Sequence, residues 1–477
     1  MKFPSPRRLA ALLLLLGGLL PGGGTAAAQQ QPPSPEQVLG YPAGAHFTPS
    51  AGVQEYARAL AAASPRVEYR PYGVTPERRE LVQLVIATPQ NLARLDAILA
   101  ANAELTRPET SESTADRIAA TNPAVVYFSY GVHGNESSSS EAAMWTAWDL
   151  AREAPEVAGV LDSLVVIIDP VANPDGRDRY VSWFRSVVGA TPNPDPAARE
   201  HHEPWPGGRF NHYLFDLNRD WAWGTQPETR ARLATWGVWN PQVHVDFHEM
   251  FYNSTYFFFP ATEPINPIYP DYVLEWGKRF GRANAAAFDA QGWPYYTAEE
   301  FDLFYPGYGD SWPSLTGAIG MTYEKAGHSM GGLAIRQESG DTLTLALRAQ
   351  QHRIAGDATL RAAAAGKSRL LKDYAAASRS VGAGSADVLL VPGPDPSRAE
   401  ALVEHLRRQG IEVERATQPF GARATAYRGW RSRRDFPEGT YRVRARQPRG
   451  RLALTLLQPE TELKAEFSYE ISAWSLP

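Results

Sequence analysis

Two short runs, 124-AVVYFSY-130 and 164-LVVIID-169, limit what this chain can fold into. Both are apolar at odd and even positions alike. Such a strand is stable only where both its faces are covered, which is the situation of a central strand in a parallel sheet. Around these runs, helical and strand-like segments alternate from about 50 to 360, the pattern of an α/β domain. Segment 52-GVQEYARALAAASP-65 is amphipathic and stops before proline, 80-ELVQLVIAT-88 reads as a strand, and 89–106 reads as a helix with Pro89 near its start. Between 185 and 227 the chain is rich in Pro, Gly, Asn and aromatics and poor in periodicity, and long irregular stretches inside a compact domain tend to be functional.

The first run leads directly into 131-GVHGNESSSSEAA-143. Ser138 and Glu141 have the spacing of a capping box, and Met144, Trp145 and Trp148 supply helical apolar positions. His133 and Glu136 therefore leave a strand end and face the crevice where open α/β sheets hold ligands. Imidazole and carboxylate are both zinc ligands, and a catalytic zinc keeps three protein ligands. The third must come from a distant strand, and 243-VHVDFHEM-250 offers two. Strand alternation puts His244, Asp246 and His248 on one face, so either histidine could reach a metal. Two further signals accompany these. The stretch 214-LFDLNRDW-221 brings an acid, an amide and a guanidinium together, and the guanidinium fork suits a carboxylate. The apolar run 319-IGMTYEKAG-327 carries the lone Glu324, the setting in which a carboxyl pKa rises toward general-base range.

With these motifs in order, the chain resembles the zinc carboxypeptidases of the funnelin type over residues 45–340. The likeness rests on His133-Gly-Asn-Glu136, 173-NPDG-176, 216-DLNR-219, 246-DFH-248 and Tyr323-Glu324. It implies a mixed, mostly parallel sheet sandwiched by helices and one zinc ion per chain held by His133, Glu136 and His248. It also implies that Asp216 orients a ligand histidine, that Asn218 and Arg219 grip a substrate's terminal carboxylate, and that Glu324 is the general base. Arg185 matches the arginine that polarises the scissile carbonyl, with Arg177 and Arg179 as competitors. Tyr305 matches the tyrosine that closes over the substrate, contested by Tyr308. The residues after Glu324 read Lys-Ala-Gly-His, which departs from the family pattern and leaves the specificity pocket undefined.

The ends of the chain bear on location and organisation. Lys2, Arg7 and Arg8 precede 9-LAALLLLLGGLL-20, and 26-AAA-28 offers a cleavage site, so residues 1–28 read as an export signal and 29–44 as a linker. The apolar core is shorter than the roughly 20 residues needed to span a bilayer, so no membrane span is expected after signal removal and the protein is expected in the periplasm or secreted. With no cysteine in the chain, disulfides, thiolate ligands and a thiol nucleophile are excluded. After a catalytic domain over 45–380, the linker 381-VGAGSA-386 and the β-α-β pattern of 387–416 suggest a smaller α/β domain at 387–477, which ends abruptly enough to suggest truncation. A chain ending near Ser380 is then expected to fold. Ten arginines lie between Arg423 and Arg451, but 440-TYRVRARQ-447 alternates them as the solvent face of a strand does, and no nucleic-acid partner is expected.

The expected activity is zinc-dependent hydrolysis of C-terminal peptide bonds on peptides or proteins with a free C-terminus. The alternatives are an amidase or deacylase acting on N-acyl amino acids or cell-wall peptides, and a binding protein that keeps zinc without turnover.

Overall fold

The computed structural model describes residues 31–426 and 429–470, so the expected export signal lies outside the described residues. A seven-stranded sheet forms the centre: β1 (Val67–Val74), β2 (Glu80–Ile86), β3 (Ala124–Tyr130), β4 (Leu164–Asp169), β5 (Val243–Met250), β6 (Tyr256–Phe257) and β7 (Ile319–Ala326). Their spatial order is β1-β2-β4-β3-β5-β7-β6. The inner strands β4, β3, β5 and β7 run parallel, and β1, β2 and β6 add antiparallel pairings at the edges. The mixed, mostly parallel sheet expected from the sequence is present. β3, β4, β5 and β7 are buried along their whole length, as strands without a polar face must be.

Helices cover both faces. On one side α1 (Leu345–Ala365) lies against the rings of Phe128 and Phe247, and its Gly356 lets it approach them, since a Cβ there would meet Phe128 at 3.3 Å. On the other side α2 (Pro227–Trp239) sends Trp236 against Tyr127 and His244. The helix after β3, Ser138–Arg152, starts differently from the expected capping box: its N-cap is Ser137, whose side chain makes no capping hydrogen bond. Ser138 donates instead to Glu249, while Glu141 accepts from Thr48 and Arg177. The helix expected over 89–106 is broken at Arg94 into Pro89–Ala93 and Leu95–Leu105. Within the expected linker, Pro35–Leu39 forms a short helix with a complete capping box from Ser34 and Gln37. No helix among the described residues is long and apolar enough to cross a membrane.

Residues 381–386 form turns, with Gly382 and Gly384 at positive φ, and beyond them lie Val388–Leu390, the helix Pro396–Arg408 and Val413–Arg415. Asp395 caps that helix. This part is not set apart from the rest: Pro32–Pro477 is one compact unit, and Leu406, Ile411, Val443, Leu452 and Leu456 join the main hydrophobic core. Gln409 donates to the carbonyls of Trp221 and Ala222 and accepts from the Trp312 indole at 2.7 Å. Arg449 donates to the Thr316 carbonyl and to Asn240. Each buried polar group stranded by losing these partners costs about 1–3 kcal/mol. A chain ending at Ser380 is therefore expected to unfold at a clearly lower urea concentration than the full chain, or to aggregate. An equal urea midpoint for the two would mark residues 387–477 as separable.

Candidate metal centre

Three parallel strands end side by side, and each delivers one group to the same point. Tyr130 of β3 is in register with Phe247 of β5, so the loop after Tyr130 brings His133 next to His248. His248 is in turn the register partner of Glu324 on β7. His133, Glu136 and His248 are buried, and their donor atoms all lie within 4.8 Å of one another. His133 Nδ1 is 2.7 Å from Glu136 Oε1, His248 Nδ1 is 2.9 Å from Glu136 Oε2, and the two Nδ1 atoms are 3.2 Å apart. Donors around a tetrahedral zinc, bound at about 2.0–2.1 Å, sit about 3.3 Å apart. Two imidazole nitrogens facing each other across that gap make a poor mutual hydrogen bond and a good pair of ligands for a cation.

The opposite ring nitrogens are held from behind. His133 Nε2 is 2.8 Å from Asp216 Oδ1, and His248 Nε2 is 2.9 Å from Asp246 Oδ2. Carboxylates in this position fix the tautomer that leaves Nδ1 free for a metal. Burial works against the charge on Glu136, but the two imidazoles hold its carboxyl well below the usual range. Asp216 is lowered in the same way, by His133 and Arg209 against its burial. The four carboxylates Glu136, Asp216, Asp246 and Glu324 surround this point, faced by the guanidinium of Arg209, which is a donor set and charge balance that fits a dication.

The loop that carries His133 and Glu136 is clamped in place. Gly134 packs on the start of the helix Pro174–Val187 so tightly that a Cβ would lie 2.0 Å from the Arg177 nitrogen. Asn173 caps that helix by accepting from the Gly176 N–H. The buried Arg177 donates to Glu141 and to the carbonyls of Thr48 and Ser137.

Glu324 lines the same cleft, and its Oε2 is buried without a hydrogen-bond partner. Burial pushes its carboxyl well above the ordinary value, opposed by His248 and reinforced by the charge of Glu136. The cleft has a volume of about 230 Å³ and is bordered by Arg209, Arg219, Tyr308, Asp302, Asp310, Thr322 and His328. Arg219 stacks over the Tyr308 ring with its guanidinium carbon 4.7 Å from the ring centre. Asn218 also borders the cleft; its Oδ1 accepts from the Gly309 N–H at 2.7 Å.

Other expected residues are placed elsewhere. Arg185 lies exposed near the end of its helix, reaching the Phe47 carbonyl at 3.4 Å, and does not border the cleft. Its competitors are structural: Arg177 braces the His133 loop, and Arg179 donates to the carbonyls of Gly207, Phe210 and Asn211. The arginine that does face the metal ligands is Arg209, 3.2 Å from Glu136 Oε1 and 3.0 Å from Asp216 Oδ2. The helix Pro174–Val187 starts against the His133 loop and runs away from it, which leaves Arg185 near its far end and Arg209 beside the ligands. Tyr308 borders the cleft and Tyr305 does not: the Tyr305 hydroxyl accepts from Trp223 Nε1 at 2.8 Å. His244 is enclosed by the rings of Tyr127, Trp221 and Trp236, where burial lowers its pKa to about 3. His328 was not singled out from sequence, and burial lowers its pKa to about 4.

The zinc carboxypeptidase family model matches residues 53–237, which include the His133–Glu136 loop and 216-DLNR-219. Over that stretch the chain is similar to the zinc carboxypeptidases. That likeness, together with the buried His133, Glu136 and His248, supports a zinc-dependent hydrolase. Among solved structures, a metallo-carboxypeptidase from Burkholderia cenocepacia is 15% identical with a TM-score of 0.44, covering 65% of this chain and 66% of that one. Carboxypeptidase A from Helicoverpa armigera is 17% identical with a TM-score of 0.42, covering 74% and 78%. No curated protein sequence matches the chain.

Removing a donor should remove the metal. His133→Ala and Glu136→Ala are each expected to lose zinc, while His244→Ala keeps about one ion per chain. Elemental analysis checks this, and zinc loss on His244→Ala with retention on either of the others would contradict the ligand set.

Proposed function

We propose that this protein is a carboxypeptidase in the strict sense, cleaving the last peptide bond of substrates whose C-terminus is free. The observation that carries the reading is the pairing, in one cleft, of a His-Glu-His donor set beside Glu324 with a second cationic point at Arg219. An endopeptidase has no use for a carboxylate receptor buried in its cleft.

Bound zinc supplies Lewis acidity, which acidifies water and polarises a carbonyl oxygen. Around it, each of the chain's residues has a distinct task. Arg219, stacked on Tyr308, accepts the substrate's terminal carboxylate and so sets which bond lies beneath the metal ligands. Glu324 takes the proton from the attacking water and returns it to the leaving amine. Arg209 points N–H donors to where negative charge develops on the carbonyl oxygen. Asp216 and Asp246 keep the two histidines oriented.

Glu324→Gln preserves shape and removes the base. It is expected to keep zinc and to lower kcat by about 10²–10⁴-fold. The wild type should lose activity as pH falls through the raised pKa of Glu324, because only the carboxylate can accept the proton, and Glu324→Gln should lack that acidic limb. Amidating the substrate's C-terminus should sharply reduce cleavage in the wild type. Wild-type turnover by Glu324→Gln would make Glu324 structural, and equal cleavage of amidated and free-acid peptides would move the reading to an amidase or endopeptidase.

A further inference from the structure

The carboxylate receptor proposed above is filled by the chain itself. After the last helix, Gly450–Leu457, residues 461–470 adopt no regular structure and reach the cleft at their far end. Glu470 pairs through Oε2 with Arg219 Nε and accepts from the Tyr308 hydroxyl at 3.0 Å. The Tyr469 N–H donates to Asp302 Oδ2 at 2.7 Å, and the Tyr469 ring meets Phe301 and Tyr308 at centroid distances of 5.8 and 6.5 Å. Tyr469 is also one of the residues that border the cleft. The Ser468 hydroxyl donates to the Glu470 carbonyl at 2.8 Å and closes the tip into a turn.

We propose that Tyr469 and Glu470 form a built-in competitor: the Glu470 carboxylate occupies the subsite that otherwise takes a substrate's terminal carboxylate, and substrate must displace it. The inference rests on the role given to Arg219 in the proposed function.

Three observations support it. First, the other partners of the Arg219 guanidinium are few: Nη1 donates to the Asn218 carbonyl at 3.1 Å. Asp216, its other acidic neighbour, is 3.8 Å away, and its oxygens already serve His133, Arg209 and the Asn218 N–H. Second, the Glu470 side chain is only 7% exposed although its segment is largely open, with Phe467 at 75% and Tyr469 at 50%. The carboxylate is covered where it meets Arg219 and Tyr308. Third, the segment contributes nothing to the hydrophobic clusters of the described residues, so its release leaves the fold intact. Elements with few buried contacts open at low free-energy cost. One guanidinium fork and one tyrosine hydroxyl cannot hold two carboxylates in the same place, so occupancy by Glu470 and by substrate exclude each other.

The test uses the full chain and two variants, Glu470→Gln, which removes the charge, and Glu470→Lys, which repels Arg219. Two quantities are read. One is KM and kcat on an N-acylated dipeptide with a free C-terminus, using the zinc-loaded protein. The other is the Kd of N-acetyl-phenylalanine for the zinc-free protein by calorimetry. Loss of a partly buried, charge-assisted contact is expected to lower both KM and Kd by about tenfold with kcat unchanged, and at least as far for Glu470→Lys as for Glu470→Gln. Unchanged or raised KM and Kd in both variants would overturn the proposal. If no form turns over the dipeptide but Kd falls as expected, the competitor stands and the carboxypeptidase reading fails. If the wild type is active and neither constant moves, the carboxypeptidase reading stands and the competitor fails.

Discussion

A carboxylate taken out of water must be given a cation, and the site is organised around how Glu136 meets that demand. Its two oxygens face one imidazole each, and behind each imidazole stands another buried acid, Asp216 or Asp246. Breaking one partner out of such a buried ionic group costs about 3–5 kcal/mol, so the arrangement has little freedom to relax. The surrounding fold provides the rigidity it needs. His133, His248 and Glu324 project from the ends of adjacent parallel strands whose register fixes their spacing. The Gly134 contact and the Arg177 clamp then hold the one ligand-bearing loop against the sheet.

The same constraint explains why the cleft is chemically divided. Near the ligands, Arg209 is tied to Glu136 and Asp216 and can serve only charge that develops within its reach. Further out, Arg219 reaches Asp216 only at 3.8 Å and rests on Tyr308. Two arginines ten positions apart in the chain therefore perform different electrostatic work. The seating of Glu470 on the outer one follows from its accessibility.

Much of this was legible in the sequence, for physical reasons that can be named. The double-sided apolar runs dictated buried parallel strands, and the His-x-x-Glu loop had to leave the end of one of them. The His-x-Asp-x-His alternation placed three side chains on one face but could not choose between His244 and His248, because that depends on which end of β5 lies beside the loop. That Arg209 and Tyr308 border the cleft was not legible for a related reason. Both lie beside irregular chain, where periodicity says nothing about direction and only tertiary hydrogen bonds, such as those from Arg179 to the 207–211 loop, decide what crosses the site. The one hint of Arg209 was its setting after Gly207-Gly208, a pair whose missing side chains let that loop approach the Pro174 helix, where a Cβ on Gly208 would lie 2.6 Å from the Gly176 carbonyl oxygen. The contact of Glu470 with Arg219 joins residues far apart in the chain, and no local pattern encodes it.

The central claim is that His133, Glu136 and His248 form one zinc site with an open position. Zinc K-edge X-ray absorption on the purified, zinc-loaded protein measures this directly. The account predicts a first shell of four or five nitrogen and oxygen donors at about 2.0–2.2 Å with outer-shell scattering from two imidazoles. A shell without imidazole scattering, or one with three imidazoles, would contradict it.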